Sequence, residues 1–310
     1  MINRLLSTLK KKFQPKTTDP QFEPKQGKVP EAAAVTKELE KVTSPVETEA
    51  VGYSSPHINV GYGLSVGKQR THNEDAFFTL TTMFSFNESQ IPFCLYIVAD
   101  GMGGHKNGEI ASELAIRTIV GFILTKIYTP MMSLNPQPSE MSYREVFQAG
   151  IEKANSEILK SSYGGGTTVT AVLIVGEQMT IAHVGDSRIY SIDKKGNLEA
   201  LTRDHSLVKR LQELGQITSE EAAVHPQRNV LYRALGQGEP FEPEIISTSR
   251  PNAGSLLICS DGLWSIVNQE VISEIIKSDK SPQQTCDKLI DAANDAGGPD
   301  NISAILVEIS

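Results

Sequence analysis

The sequence predicts an α+β fold in which sheets lie between helical layers. Two observations carry that prediction. Several strand candidates are apolar on both alternating faces, the pattern of sheets covered on each side. The elements run as strands, two long helices, more strands, a helical insertion, then strand, helices and strand. That order is not the regular alternation of a doubly wound parallel fold. At 310 residues with 39% hydrophobic content, the chain can bury a substantial core, as one large domain or two ordinary ones.

Residues 1–56 stand apart from the rest. From about Lys10 to Pro56 the chain is rich in Pro, Lys, Glu, Thr and Ala with few aromatics. Such a segment cannot bury enough apolar surface to offset its conformational entropy, so a disordered N-terminal tail is expected. Its first residues differ again. Ile2, Leu5, Leu6, Leu9 and Phe13 follow helical spacing, while Arg4, Lys10, Lys11, Lys12 and Lys16 supply unopposed positive charge. Residues 1–16 therefore read as a short basic amphipathic segment suited to peripheral contact with an anionic membrane or a partner's groove. A frayed, charged terminus is the plainer alternative, since helices this short are marginal alone.

The dense pattern begins near Asn59, and residues 57–310 are expected to form the folded domain. Strands are expected at Val60–Val66, Ala76–Leu80, Phe93–Ala99, Thr168–Val175, Thr180–Val184, Ile189–Ile192, Ser255–Cys259 and Ser303–Ile309. Helices are expected at Glu109–Ile127, Tyr143–Leu159, Leu207–Leu214, Gln269–Lys277 and Pro282–Ala296. In the second of these, Phe147, Ile151, Ala154 and Ile158 share one face, as in a helix laid on a sheet. Pro282 suits the first turn of a helix, and Thr218-Ser-Glu-Glu221 has the acids of a helix start. The polar stretch Arg203–Gly238 interrupts the strand rhythm and reads as a peripheral flap.

Composition excludes several classes. The net charge of −8 disfavours general nucleic-acid binding. Nothing in the chain approaches the roughly 20 apolar residues of a membrane span. The three cysteines, Cys94, Cys259 and Cys286, have no paired spacing, which points to reduced core thiols and a cytoplasmic protein. The tail carries a slight basic excess, so the acidic excess belongs to the body.

Four aspartates sit at or just past apolar runs, each beside a glycine, serine or asparagine: Asp100, Asp186, Asp261 and Asp300. Asp-Gly alone is a common turn. The contexts argue for more, since Asp100 opens Asp-Gly-Met-Gly-Gly-His105 and Asp75 closes Arg70-Thr-His-Asn-Glu-Asp75. Carboxylates gathered together repel one another unless a cation neutralises them, and an all-oxygen set points to Mg²⁺ or Mn²⁺. Arg70 beside such a cluster implies a shared anion, for which a phosphoryl group is the natural candidate. Two cations can activate a water between them and hold it in line with phosphorus, with no covalent nucleophile. His183 reads as a satisfied core residue, His205 and His225 as local hydrogen-bonding groups, His72 as a residue near the substrate, and Trp264 as core packing.

Taken in order, Arg70-x-x-Asn-Glu-Asp75, Asp100-Gly-Met-Gly-Gly-His105, Gly165-Gly-Thr-Thr168, His183-Val-Gly-Asp-Ser-Arg-Ile-Tyr190, Leu201-Thr-Arg-Asp-His-Ser206, Cys259-Ser-Asp-Gly-Leu-Trp264 and Gly298-Pro-Asp-Asn301 resemble the motif series of the metal-dependent type-2C (PPM) protein serine/threonine phosphatases, bacterial-type branch. The resemblance spans about Val60 to Ile309. It implies a four-layer α-β-β-α sandwich with mostly antiparallel sheets, a small helical flap at 203–238, and a centre of two Mn²⁺ or Mg²⁺ ions. By the same resemblance, Asp100 bridges both ions, the Gly101 carbonyl joins one, and Asp261 and Asp300 hold the other. Asp75 lies close by, acting partly through water, Arg70 clamps the substrate phosphate, and Asp186 matches an accessory third site. The implied enzyme is a hydrolase acting on phosphorylated proteins, and a monomer is expected. One departure concerns the leaving group's proton. Animal members place a histidine where Met102 stands, and His105 is the substitute donor, with capping or metal-bound water as alternatives. Two other readings compete: a binding module on this fold that has lost catalysis, and a two-metal phosphoesterase acting on small molecules or nucleic acid.

Overall fold

The computed structural model describes residues 57–86, 89–103, 106–134, 141–161, 164–238, 241–278 and 281–310. The tail 1–56, its basic segment 1–16, and His105 lie outside the described residues. The strands are β1 Ile58–Ser65, β2 Ala76–Phe86, β3 Ser89–Ala99, β4 Gly101–Met102, β5 Gly166–Thr167, β6 Val169–Val175, β7 Gln178–Val184, β8 Arg188–Ile192, β9 Leu198–Ala200, β10 Glu244–Ser249, β11 Gly254–Cys259 and β12 Ile302–Ile309. The helices are α1 Lys106–Ile123, α2 Thr129–Met131, α3 Tyr143–Lys160, α4 Leu207–Glu213, α5 Ser219–Ala223, α6 Asp261–Trp264, α7 Gln269–Ser278 and α8 Pro282–Asp295. A π-helical turn, Leu124–Tyr128, links α1 to α2.

Two five-stranded sheets form the middle of the molecule, ordered β1-β12-β11-β8-β9 and β10-β7-β6-β3-β2, with β4 and β5 as a separate two-stranded ladder. Every pairing described is antiparallel. Successive residues of a strand point to opposite faces, and β3 shows the consequence. Phe93, Leu95 and Ile97 enter a core beneath α1 and α3, whereas Cys94, Tyr96 and Val98 enter the core between the sheets. Likewise β12 sends Ile302, Ala304 and Leu306 toward α7 and α8, and Ile305, Val307 and Ile309 inward. Each such side chain contributes about 1.5–3 kcal/mol on leaving water. The expected four-layer α-β-β-α order is therefore the observed one.

Local signals set the helix ends. Ser142 accepts from the backbone N–H of Glu145, whose side chain returns to Ser142, so α3 opens on a capping box. Thr218 and Glu221 do the same for α5, and Pro282 starts α8. The stretch 203–238 holds α4 and α5. It is tied to the body by a bridge between Thr167 and Leu235, and by Gln237, whose amide donates to Met102 Sδ at 3.1 Å.

The structure departs from the sequence reading in several places. Strands β4, β5, β9 and β10 are absent from that reading, β2 and β3 extend well past the predicted limits, and Asp261 opens the one-turn helix α6 immediately after β11.

Candidate active site

Both sheets deliver aspartates to one region. Asp75 precedes β2 and Asp100 follows β3 in one sheet, while Asp261 follows β11 and Asp300 precedes β12 in the other. Asp186 lies in the turn that carries the chain from β7 to β8, from one sheet to the other. The Asp100 backbone is fixed on both sides, its N–H donating to Thr168 Oγ1 at 2.9 Å and its carbonyl accepting from Thr168 N at 2.8 Å. Gly101 runs against neighbouring backbone: a Cβ there would stand 2.3 Å from the Gly108 carbonyl oxygen and 2.5 Å from that of Glu74, so no larger residue fits. Gly185, before Asp186, has φ +111° and would drive a Cβ into Thr168 at 2.6 Å or less, so this turn too requires glycine.

Crowding dominates the electrostatics. Burial, and then repulsion from Asp75, Asp261, Asp186 and Asp300, pushes the Asp100 carboxyl well above the usual range. Burial likewise raises Asp75 to about 7, with Asp261 and Asp300 adding to the shift. Asp261 rises to about 6 through burial and Asp300, while a hydrogen bond with Asp100 works the other way. Asp186 is raised by burial, Asp261 and Asp204. Arg70 stands at the exposed edge, its Nη2 2.8 Å from Asp300 Oδ2.

Asp75 Oδ2 accepts from Ser303 Oγ at 2.6 Å; its Oδ1 is enclosed and makes no hydrogen bond of ordinary geometry, the nearby Ser260 hydroxyl only partly offsetting the upward shift of the carboxyl. A buried carboxylate oxygen without a donor is costly, and a cation satisfies it. Among the described residues no three carboxylate, imidazole or thiolate side chains converge at coordinating distance of one point. Mg²⁺-type ions take one or two carboxylates each and complete their shell with water and phosphate oxygens. The donor set and the orphaned oxygen thus fit hard divalent ions.

The sequence reading missed the groups that hold these aspartates and their segments in place. Asn301 accepts from the Glu74 N–H at 2.8 Å and donates to the carbonyls of Val66 and His72, pinning the Arg70–Asp75 segment. Ser303, a buried polar residue in the otherwise apolar β12, was the visible signal for one of them. Trp264 does more than the core packing expected of it. It does border the core beneath α7 and α8, but its Nε1 also donates to the Asp186 carbonyl at 3.0 Å, and the Arg188 guanidinium lies 3.4 Å from its ring centre. Arg188 in turn grips Asp204 through two hydrogen bonds of 2.8 and 2.7 Å. Met102 ends β4, and its sulfur accepts from the Gln237 amide.

His183, His205 and His225 are hydrogen-bonded groups, as read. His183 is buried, with Nδ1 2.9 Å from Thr170 Oγ1 and Nε2 3.1 Å from the Arg203 carbonyl, and burial lowers it to about 4. His205 accepts from the Gly185 N–H at 3.1 Å, and His225 from that of Gln227 at 3.1 Å. His72 lies beside the cluster with Nε2 3.4 Å from Glu74 Oε1.

Stacked antiparallel sheets that aim aspartates at one region, with a guanidinium at its rim, define a metal-assisted phosphoester hydrolase. Residues 62–302 match the family described as protein phosphatase 2C. The serine/threonine phosphatase Stp of Listeria monocytogenes is 37% identical over 248 residues, covering 78% of this chain and 92% of that protein. The S. agalactiae serine/threonine phosphatase structure superposes with TM-score 0.68 at 33% identity, over 82% of this chain and 100% of that one. The catalytic domain of the phosphatase PstP, in complex with two manganese ions, superposes with TM-score 0.65 at 28% identity, over 82% of this chain and 99% of that one. The chain belongs to the protein phosphatase 2C family and is a protein serine/threonine phosphatase.

Proposed function

We propose that this protein hydrolyses phosphoserine and phosphothreonine monoesters of proteins by direct attack of water, at a centre where Asp100, Asp261, Asp300 and the Gly101 carbonyl hold two Mn²⁺ or Mg²⁺ ions. The observation that carries this reading is the unpartnered Oδ1 of Asp75 inside a cluster of mutually repelling carboxylates. Ions bound there supply Lewis acidity toward the phosphoryl oxygens and lower the pKa of the attacking water. The rest falls to the chain's own groups. Arg70, exposed at the rim and held by Asp300, presents a planar fork to two phosphoryl oxygens. Asp75 Oδ1 is placed to accept a proton or a hydrogen bond from water. Asp186, outside the main group, serves an accessory site.

Thiol catalysis is disfavoured. Cys94, Cys259 and Cys286 are all buried, and burial raises Cys259 and Cys286 to about 12, far from the thiolate a nucleophile needs. Met102 offers no proton, so the donor to the leaving alkoxide is left to His105 or to a metal-bound water.

Asp261→Asn tests the assignment. With Mn²⁺ and a phosphothreonine peptide, turnover should fall by at least about 100-fold, since even groups behind metal ligands are worth 10–100-fold. Far-UV circular dichroism should not change, and EDTA should silence the wild type. Full activity in Asp261→Asn would overturn the proposed centre.

A further inference from the structure

A cleft of about 620 Å³ opens between the 203–238 stretch, the first turn of α3 and the start of β10. Four arginines line it, Arg144, Arg203, Arg210 and Arg233, in a chain whose net charge is −8. Their neutralisation is incomplete. The single carboxylate of Glu213 serves both Arg203 and Arg210. Arg144 donates to the Ile245 carbonyl and so keeps its charge uncancelled. Arg233 lies 5.7 Å from the Tyr232 ring centre, with no carboxylate partner found among the described residues. Two glutamates, Glu242 and Glu244, share the wall, and Glu244 faces His205 Nε2 at 3.6 Å. His205 adds no charge, because burial, and then His183, lowers it to about 3. The balance remains positive.

The ladder fixes where this cleft lies. β10 runs antiparallel to β7 with Glu244 opposite His183, so the start of β10 sits at the end of β7 from which the Asp186 turn departs. Asp186 lies three positions along the chain from His183, through the bend at Gly185, so the two are at most roughly 10 Å apart. We infer that the cleft receives an acidic segment of the substrate protein, with Asp or Glu side chains meeting the arginines while the phosphoresidue occupies the aspartate centre. Carboxylates match the forked donors of guanidinium groups, and Tyr232 offers an exposed aromatic face beside them. At about 3.3–3.6 Å per extended residue, the acidic side chains fall roughly three to five positions from the phosphoresidue. This inference rests on the proposed action on phosphoproteins.

The test compares three phosphothreonine peptides with the full chain and Mn²⁺. One carries glutamates three to five positions before the phosphothreonine, one carries them after it, and the third has glutamine throughout. One of the acidic peptides should show a kcat/KM about three- to tenfold above the glutamine peptide, the product of two or so exposed ion pairs. The gain should lie in KM and shrink as salt rises. Arg233→Glu should erase the preference and leave p-nitrophenyl phosphate turnover unchanged. Arg210→Glu, on an exposed helix, repeats the test if Arg233→Glu is unstable. Equal use of all three peptides by the wild type, or an undiminished preference in a folded variant, overturns the docking site. Hydrolysis of p-nitrophenyl phosphate without any peptide hydrolysis, or no hydrolysis at all, would instead defeat the phosphoprotein reading, and the docking site with it.

Discussion

The Oδ1 atom of Asp75 is enclosed by protein and receives no hydrogen bond, while Oδ2 of the same carboxylate takes a short one from Ser303. A residue shaped only by stability would not leave one oxygen so. Substitution should therefore separate stability from activity. In EDTA at pH 8, above the raised value of about 7, Asp75 is an anion among anions, and Asp75→Asn removes that repulsion. The variant should melt higher than wild type by about 1 kcal/mol, or roughly 2–4 °C. At pH 5 the wild-type carboxyl is already neutral, and the gain should vanish. Peptide hydrolysis should meanwhile fall by about 10–100-fold. Calorimetry at the two pH values decides it, and a variant that melts lower at pH 8 would show that Asp75 is structural.

At the scale of elements, the turn bearing Asp186 is held by parts far apart in the chain. Trp264 of α6 donates to its carbonyl, Arg188 of β8 lies on the Trp264 ring, and Asp204, at the root of the 203–238 stretch, clamps Arg188. Both partners of this ion pair are mostly buried, the Arg188 side chain 21% and Asp204 8% exposed. Arg188→Ala leaves the Asp204 charge without its counterion, at a cost of about 3 kcal/mol, or roughly 6–12 °C in Tm. Arg188→Lys, which cannot form the fork, should recover only part of the loss. An unchanged Tm for Arg188→Ala would dissolve the link between the flap and the Asp186 turn. None of these pairings follows a period, and this separates what the sequence disclosed from what it hid. Alternating or continuous apolar runs exposed β3, β6, β7 and β12, and helical stripes exposed α1 and α3. Strand β10 stayed hidden because it is an edge strand whose last three residues face water. The π turn after α1 leaves no mark on a 3.6-residue stripe. The clustered aspartates were legible because each interrupts an apolar run beside a small or turn-forming residue. Their supports, Asn301, Ser303 and Trp264, act across more than 70 residues of chain, at distances no local pattern encodes.

The molecule as a whole is two sheets whose polar ends meet at the site. Asp75 and Asp100 belong to one sheet and Asp261 and Asp300 to the other, and the Ser303–Asp75 hydrogen bond crosses between them. Divalent ions at the proposed centre would join the two halves, so that metal affinity would become stability of the entire sandwich. An ion at a hundredfold excess over its Kd adds about 2.7 kcal/mol, and two should raise Tm by roughly 10–20 °C in a domain of this size. The pH dependence should change sign with the metal. In EDTA, Asp75 and Asp261 have folded-state values of about 7 and about 6, above the ordinary 3.9 of an unfolded aspartate. The folded state then binds more protons than the unfolded one between about pH 4 and 7, so stability is greatest at the acid end and declines as pH rises through that window. With saturating Mn²⁺ the same carboxylates must shed their protons to bind the ions, so affinity, and the Tm it supports, climbs over that range. Thermal melts from pH 5 to 8 should therefore fall in EDTA and rise in Mn²⁺, the two curves diverging toward neutrality. Parallel curves would mean that the ions bind elsewhere than among these aspartates.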